Sequence, residues 1–439
     1  MKYLNDKCWP VLTIVLALSA AACDTDQLLN VVDPDIVTPA DVVGEKGAEL
    51  YWAGAVGLFA GAYSSGGGGQ VVYSGMISDE FHLSGTFPTR NEVDRREMDD
   101  RNGTLLGQYR TYHRARVGTK NAAERMAEIL PNDPRIAEMW NMNGYMNLFF
   151  AENYCSGVPF SDTPNEGDIV YGERQTTEQI YNAAVASFGS ASQAAGGSAD
   201  QSHLAAIGLA RARLNQGDYA GAASAAATVP PDWAYHVRSK AGGTFGQRNA
   251  VFELNQRQRR WSISDMEGEN GIAFRSAPDS RVPWEDSGGP GFDQETPLFH
   301  QLKYDSEESD VVLASGLEAQ LIKAEAELSS GGPWLATLNA LRAGAELPAL
   351  EDPGNTDARV RMLFEERGRW LFGTGHRHGD LRRLVRQYGY DQAAVFPTGS
   401  FFKGGAYGTD VNFPIPFEEH ENEALSGLEG QSLCLDRSA

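Results

Sequence analysis

Residues 203–230 read HLAAIGLARARLNQGDYAGAASAAATVP, and this stretch constrains the fold more than any other. Alanine has the highest helix propensity and no side-chain bulk, so an Ala-rich stretch suits two helices that approach closely. The pattern predicts helices over 201–215 and 219–228, reversed around Gly217 and stopped by Pro230-Pro231. Such a hairpin cannot bury its apolar face alone and must stack on neighbours.

A second unit of the same kind spans 317–342: LEAQLIKAEAEL, a Gly331-Gly332-Pro333 turn, then WLATLNALRA. The Gly-x-Tyr turn of the first unit, followed by Ala222 and a closing proline, resembles a tetratricopeptide unit. Further helices are predicted around them. Residues 121–130 are short, amphipathic and stopped by Pro131. Residues 135–153 carry Ile136, Met139, Trp140, Asn143, Met146 and Phe150 at three-to-four spacing. Residues 178–194 are capped by Thr176 or Thr177. Two more helices flank Gly373-Thr374-Gly375 within 360–388. The expected fold class is mainly α: tetratricopeptide-like hairpins in an α-α superhelix carrying an inserted, loop-rich lobe.

The lobe is predicted from texture. Residues 231–310 hold Trp233, Trp261, Trp284 and two Gly-Gly pairs, and VFELNQRQRRWSIS within them alternates like a strand pair. Residues 64–95 are similar, opening with Gly66 to Gly69. That run lacks the Gly-Lys-Ser/Thr tail of a phosphate loop and reads as a flexible loop. Function sits disproportionately on such loops.

The chain carries 37 basic and 59 acidic side chains, a formal charge of −22. That excess disfavours nucleic acid and anionic lipid surfaces as partners. It makes a cationic peptide ligand somewhat more plausible than an acidic glycan. Eight lysines against 29 arginines point to internal ion pairing, because the planar guanidinium suits carboxylates.

Lys2 and Lys7 precede an apolar run from Val11 to Ala22, too short to span a bilayer. Ala20-Ala21-Ala22-Cys23 then resembles a bacterial lipobox, with Ala20 in place of the usual Leu. The expectation is a signal peptide over 1–22, acylation of Cys23, and an acidic tether to residue 43; the alternative is an ordinary secretory signal. Removing 1–22 leaves a charge of −23. Cys155 and Cys434 remain, and in an exported protein they suggest one disulfide, with two free thiols as the alternative.

Taken in order, several segments resemble the SusD/RagB family of outer-membrane nutrient-uptake lipoproteins. They are the lipobox, LFFAENYCSGVPFS at 148–161, LNQGDYAGA at 214–222 and LIKAEAEL…LNALRA at 321–343. FEERGRWLFGTGHRHGDLRRL at 364–384 and NFPIPFEEHEN at 412–422 complete the set. The Gly-Thr-Gly with two histidines and the Cys155/Cys434 pair depart from the family pattern. The resemblance implies four tetratricopeptide-like helix pairs, here one domain over 44–439 with helical repeats at about 110–230 and 311–388. It also implies anchorage in the bacterial outer membrane, exposed at the cell surface. There the protein would capture oligosaccharide or peptide and deliver it to a SusC-type TonB-dependent transporter, with no chemistry and no cofactor.

The residues weigh the same way. His376 and His378, two apart on a helix, point in different directions and make a poor metal site; Asp380 is better paired with Arg382, Arg383 or Arg386. Adjacent Glu365-Glu366 and Glu418-Glu419 do not give the separation that glycoside hydrolysis requires, so no catalytic residue is expected. Glu365 or Glu366 suits an ion pair with Arg367, Arg369 or the arginines of 377–386. Sugar C–H faces stack on aromatic rings and sugar hydroxyls need polar partners. The lobe candidates are therefore Trp261, Trp284, Trp233 and Tyr73 for stacking, with Asp79, Arg90, Asn270 and Arg275 as polar partners. The rival readings are a helical-repeat envelope scaffold without a small ligand and a polysaccharide-degrading lipoprotein.

Overall fold

A computed structural model describes residues 43–165 and 168–438. The expected signal peptide, Cys23 and the tether to residue 42 lie outside the described residues. The helices are α1 Gly44–Tyr63, α2 Gly69–Ile77, α3 Pro88–Asp94, α4 Gly103–Ile129, α5 Arg135–Asn153 and α6 Thr177–Ala194. They continue with α7 Ala199–Asn215, α8 Tyr219–Ala226, α9 Gly316–Ser330, α10 Trp334–Gly344, α11 Thr356–Trp370 and α12 Arg377–Tyr388.

The helices pair as α1–α4, α5–α6, α7–α8 and α9–α10, and each pair packs on the next. Close approach is built into the sequence. A Cβ on Gly144 of α5 or Gly208 of α7 would fall 2.6 or 2.2 Å from the Phe188 ring of α6, so glycine at both positions lets three helices close around one phenyl group. α5 is the core helix, buried along nearly its whole length. Phe59, Tyr63 and Phe149 stack near its C-terminal end with ring centroids 5.6–6.4 Å apart. Thr176 caps α6 through a reciprocal box with Gln179.

The lobe is inserted between α8 and α9, which pack on each other. Its neck is narrow. Gly316 N–H donates to Trp233 O at 2.8 Å, and a Cβ on Gly316 would fall 2.0 Å from Pro230 O. The strands are short and pair antiparallel in twos: Phe81–Leu83 with Trp261–Ile263, Trp284–Pro290 with Pro297–Gln301, and Ala234–Val237 with Val311–Ser315. The first pair joins the 64–95 segment to the 231–310 segment, which the sequence presents as separate loops.

Three expectations are corrected here. The helix at 121–130 is the end of α4, which starts at Gly103 with the Asn102 side chain accepting from Leu105 N–H. Its glycines hide this length, yet Gly118 is where Leu58 of α1 crosses, 2.6 Å from a would-be Cβ. The 64–95 segment contains α2 and α3, and α2 is wholly buried. Residues 250–257 are helical, not a strand, because the Asn249 side chain caps Phe252 N–H; the strand begins at Trp261.

Buried ion pairs absorb much of the arginine. Asp380 takes the Arg367 fork at 2.8 and 2.9 Å and Arg383 at 3.0 Å, and Arg383 also pairs with Glu325 at 2.8 Å. Burial alone would raise the Asp380 pKa; Arg367 and Arg383 hold it well below the usual carboxylate range. Glu365 pairs with Arg369. Glu366 instead joins Arg281 of the lobe at 2.7 Å to Arg342 of α10 at 2.6 Å, a clamp no sequence spacing suggested. His376 sits beside Arg211 and Glu318, while His378 lies against Asn153 and Val411 O. Cys155, just past α5, is disulfide-bonded to Cys434 and ties the C-terminal segment to the helical body.

Candidate functional site

Beyond the strand Phe81–Leu83 the backbone is pinned to two other lobe segments. Ser84 N–H donates to Arg260 O at 2.9 Å, Asp293 N–H to Ser84 O at 3.0 Å, and Phe292 N–H to Arg259 O at 2.8 Å. These bonds use up the main chain and leave the side chains of Phe87, Arg260 and Phe292 standing outward together. The Arg260 guanidinium lies 3.5 Å from the Phe292 ring centroid and 5.0 Å from that of Phe87. Arg90, from α3, lies 5.1 Å from the same Phe87 ring. Phe87 is 45% exposed and Phe292 44%, unusual for phenyl groups in a protein that buries many others.

Two further elements extend this face. Phe402, also 44% exposed, meets the His82 ring edge-on at 5.0 Å. Its neighbour Lys403 donates to Gly85 O at 2.8 Å and pairs with Asp293 at 2.9 Å. Arg275 covers the Phe299 ring at 3.5 Å and lies 5.9 Å from half-buried Trp284, which packs edge-on against Phe299.

The electrostatics of the face are cationic. Arg90, Arg260 and Arg275 form no salt bridge among the described residues, although the Asp265, Asp286 and Glu267 charges act on Arg275, whereas Lys403 is paired with Asp293. Partial desolvation and the nearby Arg90 charge push the Arg260 pKa down. Burial, then the Arg275 and Lys403 charges, push His82 down to about 3. Its 3.8 Å approach to Glu267 is therefore a contact of a neutral imidazole and not an ion pair. Burial raises the pKa of both Asp94 and Glu267 beneath the face.

Three of the residues expected from sequence, Arg90, Arg275 and Trp284, come together on this face. The others do not. Trp261 is 1% exposed and packs on Phe81 at 4.2 Å between centroids, so it is core and not a stacking platform. Tyr73 is buried within α2, and its pKa is raised by burial against the opposing effect of Arg90. Asp79 is buried and spent on the Arg377 fork at 2.6 and 2.8 Å. The Asn270 amide donates to Ala393 O and Phe396 O, both at 2.8 Å, and so holds a turn. Trp233 donates to Asp200 at the start of α7, on the helical body. Sequence reasoning missed Phe87, Phe292, Phe402, Arg260 and Lys403. A signal existed: Thr-Phe-Pro, Gly-Phe-Asp and Phe-Phe-Lys-Gly each put an aromatic beside a turn former, where burial is hard to achieve.

A cleft of about 770 Å³ lies elsewhere, between α1, α4 and the segments near 160 and 420. It is lined by Leu58, Tyr109, His113 and Glu418 among others. It has no exposed ring carrying a stacked, unpaired guanidinium, and its size alone assigns it no role. Among the described residues no group of three His, Cys, Asp or Glu could hold a metal ion, and no helix is long and apolar enough to cross a membrane.

No protein-family model and no curated protein matches the chain. Solved structures do. A SusD superfamily protein from Parabacteroides distasonis superposes with a TM-score of 0.64 at 12% identity, over 87% of this chain and 98% of that one. A laminarin-binding SusD-like protein gives 0.61 at 14% identity, over 87% and 98%. A SusD-like carbohydrate-binding protein from Bacteroides vulgatus gives 0.59 at 13% identity, over 77% and 83%. At these identities the likeness speaks for architecture: the stacked helix pairs and inserted lobe described above are the SusD-like fold.

Proposed function

We propose that the protein is a surface-exposed binding lipoprotein that captures oligosaccharide on the Phe87–Arg260–Phe292 face. On this reading it passes the ligand to a SusC-type TonB-dependent transporter in the outer membrane. The observation that carries the reading is a trio of exposed phenyl rings, two of them flanked by guanidiniums that no carboxylate engages. A pyranose offers a C–H face to such rings and vicinal hydroxyls to an Arg fork. Two proteins that share the fold are described as carbohydrate-binding or laminarin-binding. Acylated Cys23 would anchor the chain, with the tether leading into α1. A binding role without catalysis accords with the engagement of Glu365 by Arg369 and of Glu366 by Arg281 and Arg342.

The test is calorimetry of the mature protein against a glycan panel, with Phe87→Ala/Phe292→Ala beside it. Stacking lost from two rings should weaken binding by about ten-fold or more while the thermal midpoint stays put. Binding that survives both truncations unchanged would move the site elsewhere, the α1–α4 cleft being the next place to look. Co-purification of a TonB-dependent barrel from native membranes tests the partner.

A further inference from the structure

Resting on the binding face proposed above, we infer that its ligand is an acidic oligosaccharide whose carboxylate or sulfate group sits between Arg90 and Arg260. The argument begins with a contrast. Some arginines of this protein, such as Arg96, Arg116 and Arg382, donate to backbone carbonyls, while others find a carboxylate. Arg211, Arg281, Arg342, Arg367, Arg377 and Arg383 all do so. Arg90 and Arg260 instead both lie against one phenyl ring, 5.1 and 5.0 Å from the Phe87 centroid, and neither forms a salt bridge among the described residues, although Arg90 also meets the Tyr73 hydroxyl.

That arrangement is held by structure that does not depend on the two charges. Arg260 directly precedes the strand that pairs with Phe81–Leu83, and its carbonyl accepts Ser84 N–H. Arg90 belongs to α3, which Pro88 starts at its first turn. The two guanidiniums are thus placed near each other by the fold and repel each other there, which partial desolvation worsens. An anion between them would convert the repulsion into two charge-assisted contacts, with fork geometry that matches carboxylate and sulfate oxygens. Asp293, the neighbour of Phe292, is already taken by Lys403, and His82 is neutral.

The consequence reverses the expectation from net charge. The whole chain is acidic and favours a cationic ligand, but Arg90 and Arg260 make their edge of the face locally cationic, where such a ligand would be repelled. A neutral sugar could accept hydrogen bonds from either arginine and would leave the like charges uncompensated.

The experiment uses the mature, full-length protein and three probes: an oligogalacturonate, the same oligosaccharide fully methyl-esterified, and a sulfated galactan oligosaccharide. A neutral oligosaccharide panel runs alongside. The acidic probes should bind about ten- to a hundred-fold tighter than the ester, with affinity that falls as salt is raised. Preference between oligogalacturonate and sulfated galactan identifies which acid is read. Arg260→Gln and Arg90→Gln should each abolish most of that preference, and Arg238→Gln, an exposed arginine just past the strand Ala234–Val237, should leave it intact. Neutral glycans that bind through Phe87 and Phe292 without sensitivity to Arg260→Gln would overturn this inference and leave the binding face standing. Absence of binding by every probe, with a folded protein, would overturn both.

Discussion

Glu152 of α5 receives both arms of the Arg211 guanidinium of α7, at 2.7 and 2.6 Å, in the middle of the helical body. The Asn215 amide donates to the same carboxylate at 3.0 Å, and Arg211 reaches on to His376 at 2.7 Å. Removing one partner leaves the other charge buried and alone. Arg211→Met should therefore cost about 3–5 kcal/mol in urea unfolding, whereas the pair Arg211→Met/Glu152→Leu should recover most of it. Equal destabilisation by the single and double variants would contradict this account.

Glu80 gives a pH signature. It is fully buried behind the strand Phe81–Leu83, accepts from Gly373 N–H at 3.0 Å, and lies near Lys303. Burial raises its pKa from 4.5 to about 8. The native state then binds a proton between pH 4.5 and 8 that the unfolded state has released, so this group's contribution to stability falls as pH rises across that window. Glu80→Gln should remove the slope. The melting temperature of the variant should gain on wild type from pH 5 to pH 8, and a constant difference would show Glu80 ionised throughout.

The three-helix closure around Phe188 predicts a sharp contrast between two glycines. Gly208→Ala forces a methyl into the ring and should destabilise by about 1–3 kcal/mol. Gly189→Ala, on α6 with open space around it, should stabilise by about 0.5–1 kcal/mol through helix propensity. Guanidinium unfolding of both, side by side, decides the matter.

The Cys155–Cys434 disulfide closes a loop with a sequence separation of 279 residues. Cys155→Ala/Cys434→Ala should lower stability by about 2–5 kcal/mol. It should also expose the C-terminal segment, which otherwise meets the body through Leu435 N–H to Ser156 O at 2.7 Å, to early proteolysis. Mass spectrometry of a timed digest with a glutamyl endopeptidase, which can cut after Glu418, Glu421, Glu423 and Glu429, would show that segment cut first, and an unchanged pattern would mean that Phe413 and its neighbours hold the segment unaided.

The helical body was legible in the sequence because its signals are local. Alanine spacing, the Gly217 and Gly331 reversals and the Thr176 cap each act within a turn or two, and helices formed where those residues predicted them. α4 was read short because Gly103, Gly107 and Gly118 look like breaks until the crossing helix is seen. The proposed binding face was legible only in part. Trp261 and Arg260 are neighbours in sequence, and only the pairing with Leu83 decides that the indole turns inward while the guanidinium turns out. Tryptophan also drew attention by its size, when the exposed rings are phenylalanines on turns.

The neck at Gly316 and Trp233, together with the Arg281–Glu366–Arg342 clamp, separates two kinds of evolutionary freedom. Residues inside those fastenings answer to the helices and must keep their shape. Phe292 lies on the lobe beyond them, and Phe87 and Phe402 lie on segments fastened to it through Ser84 and Lys403, so a lineage can exchange those rings without disturbing a helix pair.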